Sequence, residues 1–138
     1  MNLIKSKKKL IIINNPIAGK GKKKKLLNTI NNKLFDNSID TKILESKNSK
    51  HAKEIAYEYT SLGNTIVACG GDGHVSNLAP IAAENDTKFG IIPTGSGNDF
   101  ALSLGLNNID NIISALIKDN FKLTDLWKLN NKVFCTVA

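Results

Sequence analysis

The chain has 138 residues, a formal charge of +7 and an apolar fraction of 41%. That length can bury one ordinary core without disulfides or a metal, and the composition excludes both a membrane-embedded protein and a wholly disordered one. The charge is local: nine of the 19 lysines fall in the first 25 residues, which hold no acid, and the rest is close to neutral. The chain has no Arg, the residue that makes the commonest bidentate base contact, so nucleic acid is not expected as a partner. The longest apolar run near the start, Leu10 to Ile13, is too short for a signal-peptide core or a spanning helix, so a cytoplasmic location is expected.

In chain order, strand and helix signals alternate. Lys9 to Ile13 is a β-branched run stopped at Asn14-Asn15-Pro16, and reads as a buried strand after a basic tail over residues 1–8. Leu26, Leu27, Ile30 and Leu34 recur at helical spacing and predict an amphipathic helix from Gly21 to Leu34. Ile39 to Glu45 alternates as a strand does. Asn48 or Ser49 can cap a helix running to about Thr60, which Gly63 ends. Thr65 to Cys69 is the best central-strand candidate, broken sharply by Gly70 to Gly73. A helix from about Val75 to Ala83 follows, with Pro80 expected near its start or at a kink.

Phe89 to Ile92 is a further short strand closed by Pro93. Phe100 to Leu104 and Ile109 to Ile117 read as helices, and Phe121 to Leu129 with Lys132 to Val137 as a hairpin around Asn130-Asn131. Strands separated by helices of this length mean βαβ units. The expected fold is α/β, a three-layer Rossmann-like and mostly parallel sheet with helices on both faces. His51, between Lys50 and Lys53, reads as a surface residue, and Trp127 as packing. Cys69 and Cys135 lack any CxxC spacing and read as buried, inert thiols.

Ligands of such sheets bind outside the carboxyl ends of the strands. Three loops leave strand carboxyl ends here, and all are rich in Gly, Asn and Asp. The first, Asn14 to Lys22, offers Gly19 and Gly21 for close backbone approach to an anion, with Lys20 and Lys22 adding charge. It lacks the spacing of a Walker A loop. The second, Gly70-Gly71-Asp72-Gly73-His74, embeds one carboxylate among three glycines, a set suited to Mg²⁺ held directly or through water. The third, Pro93-Thr94-Gly95-Ser96-Gly97-Asn98-Asp99-Phe100, adds backbone donors, a hydroxyl, an amide and a carboxylate.

In that order and spacing, IINNPIAGKGK, CGGDGHVSNLA and GIIPTGSGNDFA resemble the catalytic domain of the diacylglycerol kinase family, which includes bacterial lipid kinases and sphingosine and ceramide kinases. The third motif is the most specific. The GGDG loop alone would also fit NAD kinases and phosphofructokinases, whose nucleotide domain is related. The resemblance implies an ATP- and Mg²⁺-dependent kinase that phosphorylates a lipid hydroxyl, of diacylglycerol or a sphingoid-like lipid. It implies a nucleotide site lined by Asn15, Pro16, Gly19, Lys20, Gly70, Gly71, Asp72, Gly73, His74, Thr94, Gly95, Ser96 and Asn98. It further implies a catalytic acidic cluster of Asp72, Asp99 and Asp125 around Mg²⁺ through water.

The chain departs from the family pattern at His74, where Thr is usual, at Asn77, where Glu is common, and at Ser96 for Thr. It is also about half the usual length. The resemblance therefore implies that residues 9–138 are the ATP-binding domain alone. The family's C-terminal β-sandwich, with the lipid pocket and general base, is expected to be absent. Nucleotide binding with little lipid phosphorylation is then expected of this chain. The other readings are an NAD or other small-molecule kinase and a non-catalytic nucleotide-binding module. The N-terminal lysine clusters could touch an anionic membrane peripherally. The sequence leaves the oligomeric state open.

Overall fold

The structure, a computed structural model, describes residues 9–15, 20–93, 109–118, 124–129 and 132–137. Four parallel strands form the main sheet: β1 (Lys9–Asn14), β2 (Asp40–Glu45), β3 (Thr65–Gly70) and β4 (Phe89–Pro93), in the spatial order β2-β1-β3-β4. The connecting helices are α1 (Lys20–Asp36), α2 (Ser49–Ser61) and α3 (Asp72–Glu84), and α4 (Ile109–Lys118) follows β4. A separate antiparallel pair, β5 (Thr124–Leu129) and β6 (Lys132–Val137), closes the described chain, with β6 beside α3. Leu129 pairs with Lys132, and the expected turn at Asn130-Asn131 lies outside the described residues.

The central strands are buried on both faces, and alternation sorts their side chains into two cores. Leu10 and Ile12 of β1, Val67 and Cys69 of β3 and Ile92 of β4 face Leu27, Ile30 and Leu34 of α1 and Ile113 and Leu116 of α4. Ile11, Ile13, Ile66, Ala68 and Ile91 face Ala52, Ile55 and Ala56 of α2 and Val75, Leu78, Ile81 and Ala82 of α3. The result is the expected three-layer α/β/α sandwich. Gly90 of β4 lets α4 approach closely, since a Cβ there would lie 3.2 Å from both Leu116 and Val67.

Three helices end in the same way. Beyond α2, Gly63 at φ +82° donates to Thr60 and Asn64 donates to Tyr59, both through the backbone. This double closure satisfies carbonyls that the last turn leaves without partners. Ser38 at φ +62° and Asp86 at φ +52° do the same for α1 and α3, although neither is a glycine.

Two expectations need correction. Helix α3 starts at Asp72, three residues earlier than the apolar spacing predicts, because Gly71 in extended conformation serves as its N-cap. Pro80 consequently lies well inside the helix. It forfeits the bond to the carbonyl of Ser76, and Ser76 is exposed, so water can reach that side of the helix. His51 is also more than a surface residue. Its Nδ1 accepts from the backbone N–H of Lys47 at 2.9 Å, while its own N–H donates to the Asn48 side chain at 2.8 Å. The pair forms a reciprocal cap on α2 that composition does not reveal.

Candidate functional site

Strand order locates the site. The chain moves one way across the sheet from β1 to β2, then crosses back over β1 to β3 and continues outward to β4. The direction reverses between β1 and β3. The connections leaving their carboxyl ends go to opposite faces, α1 to one and α3 to the other. Between them lies a crevice of the kind where open parallel sheets bind ligands.

The floor of this crevice is rigidly made. At the exit of β1 the Asn14 carbonyl accepts from the Ser46 N–H at 2.9 Å and from its hydroxyl at 3.2 Å, both at the end of β2. On the other side the Asn15 N–H donates to the Cys69 carbonyl of β3 at 3.0 Å. Gly70 pairs with Pro93, which places the start of the third glycine-rich segment one strand further along the same edge.

The wall is the first turn of α3. Helix N-terminal amides have no acceptor within the helix and carry the positive end of its dipole. Gly71 supplies no side-chain cap. Asp72, half-buried, opens the helix, and Gly73 next to it is exposed, with nothing within 4 Å of where a Cβ would stand. Packing among the described residues therefore gives no reason for glycine at 73, although a helical glycine costs about 1 kcal/mol relative to alanine. The imidazole of His74 is turned inward and buried, its Nε2–H donating to the Ile13 carbonyl at 2.9 Å.

Sequence reasoning missed Asn14. It is 5% exposed, and its Oδ1 is buried without a hydrogen-bond partner, the one such side-chain atom among the described residues. A buried acceptor left unmade costs about 1–3 kcal/mol, so the end of β1 is short of a donor. The signal was the doubled asparagine before Pro16. Asn77 also has a structural use here: its side-chain amide donates to the Ser49 carbonyl at 3.1 Å and ties α3 to the start of α2.

The structure thus brings together Asn15, Gly70, Gly71, Asp72, Gly73 and His74, with Lys20 opening α1. Pro16, Gly19, Thr94, Gly95, Ser96, Asn98 and Asp99 lie outside the described residues. Asp125 lies on β5, paired with Thr136. Among the described residues no three His, Cys, Asp or Glu side chains gather as a ready-made metal site, and no helix is long and apolar enough to cross a membrane.

A parallel sheet whose strand order reverses between β1 and β3, with the N-terminus of α3 at the reversal, defines a Rossmann-like α/β domain. The model of the diacylglycerol kinase catalytic domain matches residues 9–129, and the chain belongs to that family. It is 31% identical over 135 residues to a diacylglycerol kinase of Staphylococcus haemolyticus, covering 92% of this chain and 40% of that protein. It is 30% identical over 99 residues to one of Mycobacterium tuberculosis, covering 71% of this chain and 32% of that protein. The crystal structure of a diacylglycerol kinase from Bacillus anthracis str. Sterne matches with a TM-score of 0.79 and 32% identity, over 92% of this chain and 48% of that one. The chain therefore spans less than half the length of each of these relatives.

Proposed function

We propose that this chain supplies the ATP-binding half of a lipid kinase, in which the γ-phosphoryl group passes to the hydroxyl of diacylglycerol or a sphingoid-like lipid. The observation that carries the reading is the first turn of α3. It pairs a helix start whose N-cap, Gly71, has no side chain with an exposed Gly73, at the switch point between β1 and β3. Backbone amides at such a turn suit the phosphates of a nucleotide, and glycine lets them approach closely. Asn15, half-buried at the exit of β1 and joined through its backbone to Cys69 of β3, adds a side-chain amide beside the reversal.

Phosphoryl transfer depends mainly on positioning and on neutralising charge, and these residues position the nucleotide. The donor set fits Mg²⁺, which keeps several waters and needs only one or two carboxylates beside the substrate phosphates. Asp72 would hold it, with Asp99 and Asp125 as further members of the acidic set. Mg²⁺ when bound offsets the negative charge of the phosphates. The acceptor is a membrane lipid, and the lysine clusters that include the exposed Lys24 and Lys25 of α1 would assist contact with an anionic surface.

Thermal unfolding in a titration with ATP, with and without Mg²⁺, tests the reading. A ligand at 100 times its Kd adds about 2.7 kcal/mol of stability. A saturable, Mg²⁺-dependent rise that Asp72→Asn weakens is expected. A flat response at millimolar ATP from a chain that melts cooperatively refutes it, and displacement of ATP by NAD points instead to a small-molecule kinase.

A further inference from the structure

We propose that His74 is the positioning residue that fixes the α3 turn against β1, and so sets the geometry of the nucleotide crevice from beneath. The inference rests on the nucleotide-binding reading above and adds a residue that acts without touching the ligand. One position and two contacts carry it. The ring belongs to the first turn of α3, whose amides form the crevice wall. Its Nε2–H reaches across the sheet to the carbonyl of Ile13, one residue before the exit of β1 at Asn14 and Asn15. Its Cβ and Cδ2 fill the space above Gly70, where a Cβ would come within 2.9 Å of both.

One side chain therefore joins the start of α3, the last residue of β3 and the end of β1. These are the three backbone segments that bound the switch point. A carbonyl oxygen can accept two hydrogen bonds, so the imidazole can hold Ile13 without displacing a strand-to-strand bond. Because a carbonyl only accepts, the hydrogen bond also requires the proton on Nε2. Buried at 9% exposure, the ring is shielded from competing water. The consequence is that backbone amides at residues 71–74 stand at a fixed distance from the amides and side chains at residues 14–15. Misplacement of binding groups by about 1 Å can cost on the order of a hundredfold in function.

The test uses the whole 138-residue chain with His74→Gln, His74→Asn and His74→Ala, reading the Kd for Mg-ATP beside the melting temperature. The amide of Gln can reach the place of Nε2, whereas that of Asn stops near Nδ1. Gln is expected to bind within about threefold of the unsubstituted chain, and Asn and Ala to lose at least about tenfold under conditions where each remains folded. Equal Kd values for Gln and Asn, or losses that follow melting temperature alone, overturn the proposal. Nitrogen-15 NMR gives an independent readout: a slowly exchanging proton on the His74 Nε2 is expected, and the Nδ1–H tautomer refutes it. Absence of ATP binding by the unsubstituted chain refutes the nucleotide reading itself, whereas normal binding with an insensitive His74 refutes only this inference.

Discussion

The imidazole Nε2 of His74 lies 2.9 Å from the carbonyl oxygen of Ile13, spanning the junction of β1 and β3. This contact makes a demand on Gly70, which has no room for a side chain while the ring is in place. Gly70→Ala is expected to destabilise the fold by about 1–3 kcal/mol, the usual scale of overpacking in a dense core. In a double-mutant cycle, His74→Ala should return part of that cost, since it removes the ring atoms but keeps the Cβ. Additive effects in urea unfolding would mean that the two residues do not compete for this space.

Gly73 should show opposite effects on stability and binding. With no described residue within 4 Å of its would-be Cβ, Gly73→Ala is expected to stabilise α3 by about 0.5–1 kcal/mol. The added methyl would also stand where the proposed function puts phosphate oxygens, so affinity for Mg-ATP should fall. A variant that is both more stable and equally tight in calorimetric titration would show that the ligand does not use this face.

Ser38 and Asp86 hold left-handed backbone at φ +62° and +52°. Such a conformation costs an ordinary residue roughly 1–2 kcal/mol, offset in part by the greater unfolded-state freedom of glycine. Ser38→Gly and Asp86→Gly are each expected to raise stability by about 0.5–1 kcal/mol. Gly63→Ala, at φ +82°, should lower it by about 1 kcal/mol. Chemical unfolding of the three variants measures the differences directly.

The Asn77 amide bond to the Ser49 carbonyl joins α3 to α2. Asn77→Ala should cost about 1 kcal/mol, and Asn77→Glu at least as much, because a carboxylate cannot donate to a carbonyl. Melting temperatures that rise in Asn77→Glu would show that the bond contributes nothing.

Alkaline pH tests the contact of α2 with α3 at the other end. The Tyr57 hydroxyl is raised above its ordinary pKa, first by burial and then by its hydrogen bond to the Glu84 carboxylate at 3.2 Å. The folded state thus favours the protonated phenol. Its contribution is fully present below the unfolded value of about 10 and is lost as pH rises through the higher folded value. The chain has two tyrosines, so comparing tyrosinate absorbance of the unsubstituted chain with that of Tyr57→Phe isolates the Tyr57 contribution. Tyr57→Phe should remove the component that ionises above the ordinary phenol value. A single transition at the ordinary value in the unsubstituted protein would contradict the contact.

Much of the architecture can be read along the chain because strand and helix follow from local periodicity. Leu10 to Ile13 is apolar without a break, as a strand buried on both faces must be, and Leu27, Ile30 and Leu34 repeat at helical spacing. The stopping points at Asn14-Asn15-Pro16 and Gly63 are equally local, since they depend on one residue's allowed backbone angles. The glycine-rich motifs mark the edge at which a nucleotide is proposed to bind for the same reason: close approach to an anion restricts residue type. Only the tertiary structure decides the rest. Which faces of Ile12 and Ile13 meet which helices, the reversal between β1 and β3, and the ring of His74 reaching Ile13 all join residues distant in sequence. So does the unpartnered Oδ1 of Asn14, whose deficit exists only because the sheet and helices around it exclude water. Composition can supply an asparagine or a histidine, but burial and hydrogen-bond satisfaction are set by what the folded chain brings alongside it.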